Sequence, residues 1–131
     1  MKITVDEQYT LEVHEEDALI EIKTHPTVTF STLVASQADT ERLAQEKGVR
    51  KVLVDAQQMQ QTPSLPEFFS FGRGLLKSPV LRDLRYALLA SPASGLQLQF
   101  LRSVTRNLGF AVNLFDNRDD AMQWLDEDEG K

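Results

Sequence analysis

The sequence predicts a single α/β domain in which an antiparallel hairpin joins a mostly parallel central sheet with helices packed on it. Three observations predict it. Apolar and polar residues alternate over Tyr9–His14 and again over Leu19–Thr24, the period of half-buried strands. Val52-Leu53-Val54, followed by Asp55, is a near-continuous apolar run, the kind covered on both faces of a parallel sheet. From Leu84 to Leu125 the chain then reads strand, helix, strand, helix, with each boundary marked by a turn or capping residue. Sequential alternation of this kind is the pattern of a layered α/β fold.

Taken in order, Ile3 and Val5 begin the alternating pattern before Tyr9. Glu15-Glu16-Asp17 is compact and polar and suits the turn of a hairpin between the next two strands. His25-Pro26 breaks the extended pattern, since the residue before proline is pushed out of the helical region. Thr29 can cap a helix running to about Lys47, with Gly48 as its left-handed stop. Its apolar stripe of Phe30, Leu33, Val34 and Ala44 is thin, and Val28-Thr29-Phe30 would also suit a strand. After Asp55 the polar stretch AQQMQQTPS reads as a loop.

Ser64 with Glu67 three positions on forms a capping box, and Pro66 suits the first turn of a helix reaching about Lys77. Helical spacing puts Leu65, Phe68, Phe69, Gly72, Leu75 and Leu76 on one face, which Phe71 widens. Ser78-Pro79 closes that helix, and Leu81–Asp83 leads onward. Arg85–Ala90 is the next strand, ended by Ser91-Pro92. Gly95–Leu108 is a helix stopped by Gly109, and Phe110–Phe115 a further strand. Asn117 can cap a last helix ending in Trp124-Leu125. The expected domain is 1–125, with the charged residues Asp126–Lys131 as a frayed, disordered tail.

With 131 residues the chain is long enough to bury a core without staples. Its 41% apolar and 26% charged residues place it among ordinary globular proteins rather than disordered ones. Cysteine is absent, which excludes disulfides, thiolate metal sites and cysteine nucleophiles, and fits a cytoplasmic protein. No run approaches the ~18 apolar residues a membrane span needs, and MKITVDEQYT has no signal-peptide core. The net charge of −6 repels nucleic acid.

The order of elements around KVLVD, RYALLA and GFAVNLF, closing on Asp116, Asp120, Ala121, Trp124 and Leu125, resembles the SpoIIAA-like family. These are small bacterial domains grouped with the anti-sigma-factor antagonist (STAS) fold and the CRAL-TRIO lipid-transfer fold. The resemblance covers nearly the whole chain, and its most specific parts are Val52–Asp55 and the block from Phe115 to Leu125. It implies a fold and no agreed activity. STAS antagonists carry a phosphorylated serine in an Asp-Ser-Ser-Gly-like loop after the aspartate. Here that loop is Asp55-Ala56-Gln57-Gln58-Met59-Gln60-Gln61-Thr62-Pro63-Ser64, with Thr62 and Ser64 nearby but the motif missing.

Chemistry-bearing patterns are few. His14 with Glu15, Glu16 and Asp17 could suggest a hard-metal site, but consecutive turn residues rarely converge on one ion, so no metal is expected. No serine lies in a nucleophile elbow, and Gly72-Arg73-Gly74 lies within a helical pattern rather than in a phosphate loop. The loops after Asp55 and Ala90 should fall at the carboxyl ends of parallel strands, where ligands usually bind in open α/β sheets. Ser94-Gly95 could offer helix N–H groups to an anion, or Ser94 could simply cap the helix. Arg73, Lys77, Arg82, Arg85, Arg102 and Arg106 could form a local basic face, or the solvated edges of amphipathic helices. Three phenylalanines within Phe68–Phe71 suggest a dimer face, a partner groove or the wall of an apolar pocket, against plain core packing.

Two functions follow as expectations, both non-enzymatic and without a cofactor. One is a regulatory or protein-interaction module, a homodimer using residues 56–76. The other is a small-molecule or lipid carrier with an apolar pocket near Leu65–Leu76 and an anion held near Ser94-Gly95 or Arg102. The surface expected to carry either is Thr62, Ser64, Phe68, Phe71, Ser94, Gly95 and Arg102.

Overall fold

The structure, a computed structural model, describes the backbone of residues 2–6 and residues 9–127 in full. Six strands form one sheet in sequence order: β1 (Lys2–Asp6), β2 (Tyr9–His14), β3 (Leu19–Thr24), β4 (Lys51–Asp55), β5 (Arg85–Leu89) and β6 (Ala111–Phe115). The first two pairings are antiparallel and the next three parallel. The expected α/β architecture, an antiparallel start on a mostly parallel sheet, is therefore the one observed. Ile3 and Val5 lie in β1, where only the backbone is described.

In the β2–β3 hairpin Tyr9 faces Thr24 and His14 faces Leu19, joined by a 3-10 turn over Glu15–Asp17. Ala18 closes that turn at φ 52, and its carbonyl accepts from the Arg50 and Lys51 amides. The tip of the hairpin is thereby tied to the start of β4.

Five helices follow: α1 (Phe30–Lys47), α2 (Leu65–Leu75), α3 (Pro79–Arg82), α4 (Gly95–Asn107) and α5 (Arg118–Asp126). Caps place most of their ends. Thr29 accepts from the Thr32 amide, Ser64 and Glu67 complete a reciprocal capping box, and Asn117 accepts from the Asp120 amide. Gly48, at φ 67, supplies the left-handed stop of α1 that a residue with a Cβ would resist. The one helix unforeseen in the sequence is α3, a single turn capped by Ser78 within what reads as a connector. Accordingly α2 stops at Leu75, short of Lys77.

Alternation along the strands sends side chains to two cores. On one face Tyr9, Leu11 and Val13 of β2 and Ile20 and Ile22 of β3 pack with Leu43 and Ala44 of α1, Phe68 and Leu75 of α2, and Leu98 and Leu101 of α4. On the other, Leu19, Leu53, Ala87 and Leu89 meet Ala121 and Leu125 of α5. The near-continuous apolar run of β4 is what a strand buried on both faces requires. Gly72 lets α2 and α4 approach closely: a Cβ there would sit 3.1 Å from Val104 Cγ1.

Two expected faces differ from the observed ones. On α1 the buried residues are Thr32, Thr40, Leu43 and Ala44, while Val34 is exposed. On α2, Phe68, Gly72 and Leu75 are buried, but Leu65 and Phe69 are 50% and 45% exposed. Each helical residue turns by about 100°, so Phe69 cannot share the inward direction of Phe68. At the far end, Asp126 closes α5 and its carboxylate meets Lys51 Nζ at 2.7 Å. Residues 128–131, the remainder of the expected tail beyond Glu127, lie outside the described residues.

Candidate functional site

An apolar cavity of about 100 Å³ lies between the sheet and helices α1, α2 and α4. Its floor is the inward-facing residues of the strands, including Ile22, Val52, Leu88 and Val112. Phe68, Phe71 and Leu75 of α2 form one wall, and Leu98 and Leu101 of α4 another. Leu33, Ser36 and Gln37 of α1 complete it; these three and Phe71 are half-buried, so the α1–α2 wall reaches solvent. Met59 and Ala56, both buried, close one end. The loop after Asp55 therefore contributes to the core, although its composition reads as polar. Backbone bonds from Gln60 and Gln61 to the Pro26 carbonyl, and from Val28 to Gln61, pin it in place.

The cavity has several polar residues but little free polarity. Thr40 Oγ1 donates to the Ser36 carbonyl at 2.7 Å, Ser36 Oγ to the Leu33 carbonyl at 2.9 Å, and Thr105 Oγ1 to the Leu101 carbonyl at 2.8 Å. Each hydroxyl is satisfied within its own helix. The Tyr9 hydroxyl donates to Asp39 Oδ2 at 2.8 Å, and Tyr86 donates to the Leu81 carbonyl at 2.7 Å. Burial pushes the Tyr86 phenol well above its ordinary value.

The residues singled out in the sequence do not converge on one place. Phe68 and Phe71 line the cavity. Thr62 is half-buried, its hydroxyl donating to the Pro63 carbonyl at 3.2 Å, and Ser64 is the exposed N-cap of α2. Gly95 belongs to an open cleft beyond β5 and β6, lined also by Ser91, Gln99, Asp116 and Asp120. Arg102 lies half-buried on α4 and borders neither space. Ser94 does not cap α4 through its side chain: it is fully buried and its hydroxyl accepts from the Ser91 amide at 3.0 Å. Its backbone is already helical (φ −104, ψ −7), unlike the extended geometry of a side-chain cap. The aspartates of that cleft oppose an anion there.

The basic residues do not form one face. Arg85 lies over the Trp124 ring at 3.8 Å and donates to the Trp124 carbonyl, on the α5 side of the sheet. Arg73, by contrast, stacks near Phe69 on α2.

A second cluster was not legible from consecutive residues. Glu12, His14 and Glu21 share a sheet face because Glu12 pairs with Glu21 across the hairpin and His14 lies two residues on. His14 Nε2 is 3.3 Å from Glu21 Oε1 and 3.7 Å from Glu12 Oε1. Arg118, at the start of α5, grips Glu21 through both guanidinium nitrogens and holds its carboxyl below the usual range. The cross-strand spacing could hold a cation, but the guanidinium already supplies the positive charge.

No helix among the described residues is long and apolar enough to cross a membrane. No protein-family model matches the sequence, and no curated protein does. A solved structure does match: an uncharacterized protein from the DUF3478 family with a SpoIIAA-like fold, from Shewanella loihica PV-4. The similarity spans 94% of this chain and 98% of that one, at a TM-score of 0.61 and 17% identity. Six strands in this order, four helices over one face and a terminal helix over the other thus give the chain a SpoIIAA-like fold.

Proposed function

We propose that this protein is a non-catalytic binding domain whose core holds a small apolar molecule. The observation that carries the reading is the cavity beneath α2. A void of this size costs about 2 kcal/mol of stability, from ~24 cal/mol per Å³. Folded domains have only about 5–15 kcal/mol in hand, so leaving a space of this size unfilled would be a substantial cost. A ligand that fills it recovers the lost contacts. An engineered apolar cavity of roughly 150 Å³ admits benzene, so the scale here is a single ring or short branched chain, not a whole lipid. Apart from two tyrosines whose hydroxyls are already engaged, no titratable group among the described residues lines the cavity, which favours binding over catalysis.

Saturation-transfer NMR with benzene tests this. Benzene should bind the wild-type chain and raise its Tm, while Phe71→Asp, which introduces a charge into the wall, should abolish binding. A wild-type protein that neither binds benzene nor gains stability from it would refute the reading.

A second reading has its own observation. Leu65 and Phe69 are one turn apart on α2 and both are about half exposed, a pair suited to a protein partner or a second copy. Light scattering at high concentration should find a dimer, and Phe69→Glu should convert it to a monomer. A wild-type protein that stays monomeric removes the homodimer.

A further inference from the structure

The chemistry of the cavity wall narrows what it can hold, and this inference rests on the binding role proposed above. Among the described residues, no Asp, Glu, Lys, Arg or His lines the space. An ionised ligand would therefore lose its hydration without gaining a partner. The hydroxyls of Thr40, Ser36 and Thr105 are committed to carbonyls of their own helices, and those of Tyr9 and Tyr86 to Asp39 and Leu81. Thr32 shares its hydroxyl with Thr29 at 3.0 Å, and Thr24 reaches the Asp55 carbonyl at 3.4 Å.

Gln37 is different. It lines the cavity from α1, is half-buried, and carries both a donor and an acceptor. Its amide lies beside α2 at Gly74: a Cβ on that glycine would sit 3.8 Å from Oε1 and 3.9 Å from Nε2. The amide thus sits at the place where the two helices meet.

We propose that the cavity selects uncharged molecules of single-ring size bearing at most one hydrogen-bonding group, and that Gln37 meets that group at the α1–α2 seam. Gln37 is then the specificity-determining residue of an otherwise apolar site.

Benzene, phenol and benzoate, titrated against the full chain at neutral pH, separate the possibilities because they share a ring and differ in polarity and charge. Phenol should bind at least as tightly as benzene, and benzoate at least about tenfold more weakly than phenol, because its charge has no partner. Gln37→Met, similar in size but without the amide, should shift the phenol-to-benzene affinity ratio about tenfold against phenol, the effect of stranding one buried hydroxyl. The wild-type ranking tests the proposal even if the variant folds poorly. Benzoate binding as well as phenol would overturn the selection for uncharged molecules, and a phenol-to-benzene ratio unmoved by Gln37→Met would overturn the role of Gln37, either result leaving an apolar pocket in place. Binding of none of the three would overturn the pocket itself.

Discussion

Tyr9, on a strand of the antiparallel hairpin, donates its hydroxyl to Asp39 Oδ2, on the helix that walls the cavity, at 2.8 Å. Tyr9 is fully buried and also lines the cavity. The bond thus ties α1 to the sheet beside the cavity, adding to the packing of Leu43 and Ala44 in the core.

Tyr9→Phe should lower stability by about 1 kcal/mol, the usual worth of one hydrogen bond, measured by urea unfolding. The ring and its packing are kept, so the m-value should not change. A larger effect of the variant is expected on amide exchange in α1 than in α5, which packs on the opposite face.

The two glycines of α2 should respond differently to alanine. At Gly74 the added Cβ meets only the Gln37 amide, at ordinary contact distance. Gly74→Ala should stabilise by about 0.5–1 kcal/mol through helix propensity alone. At Gly72 the Cβ would press to 3.1 Å from Val104 Cγ1, so alanine should give no such gain, and Gly72→Leu should cost about 1–3 kcal/mol by forcing α2 from α4. Thermal unfolding of the three variants checks the ordering.

The Arg118–Glu21 pair predicts an acid limb in stability. Glu21 has a folded pKa below its ordinary value, first because Arg118 bonds its carboxylate and despite opposing desolvation. A depressed carboxyl pKa contributes stability that is full above the unfolded value, about 4.3, and is lost as pH falls through the folded one. Arg118→Met should flatten that limb below about pH 5 and leave the pH dependence above it nearly unchanged. An unaltered acid limb in the variant would mean that other carboxylates carry it.

Most of the architecture was legible because it is written in local signals. Thr29, Gly48, Ser64 with Glu67, and Asn117 mark helix ends through bonds to neighbours a few residues away. The β2–β3 hairpin follows from the alternation of Tyr9, Leu11 and Val13 and of Ile20 and Ile22 about a polar turn. What depends on tertiary placement was less visible. Val34 and Phe69 point outward because the sheet occupies only part of each helix's surroundings. Ser94 carries the sequence signature of a cap, but its hydroxyl turns back to Ser91. The Glu12–His14–Glu21–Arg118 cluster joins residues up to 97 positions apart in its Arg118–Glu21 pair, beyond any local pattern. The phenylalanine cluster left an interface, a pocket wall and plain core packing open, and its members divide: Phe68 and Phe71 line the cavity while Phe69 points outward. Gln37, within a polar stretch of α1, carried no signal of its own.

Filling the cavity from its floor should separate stability from binding. Val54 on β4 and Val112 on β6 both line it, and isoleucine adds one methylene without leaving the β-branched shape that strands favour. Each added methylene that enters empty space should gain about 0.5–1 kcal/mol, from transfer of the group and closure of the void. The same atoms occupy room a ligand would need. Val54→Ile and Val112→Ile should therefore raise the Tm of the unliganded chain while weakening benzene, with the double variant showing the larger change in both. A lower Tm would mean that the space is already filled by neighbouring side chains in solution, since overpacking destabilises where a true void does not.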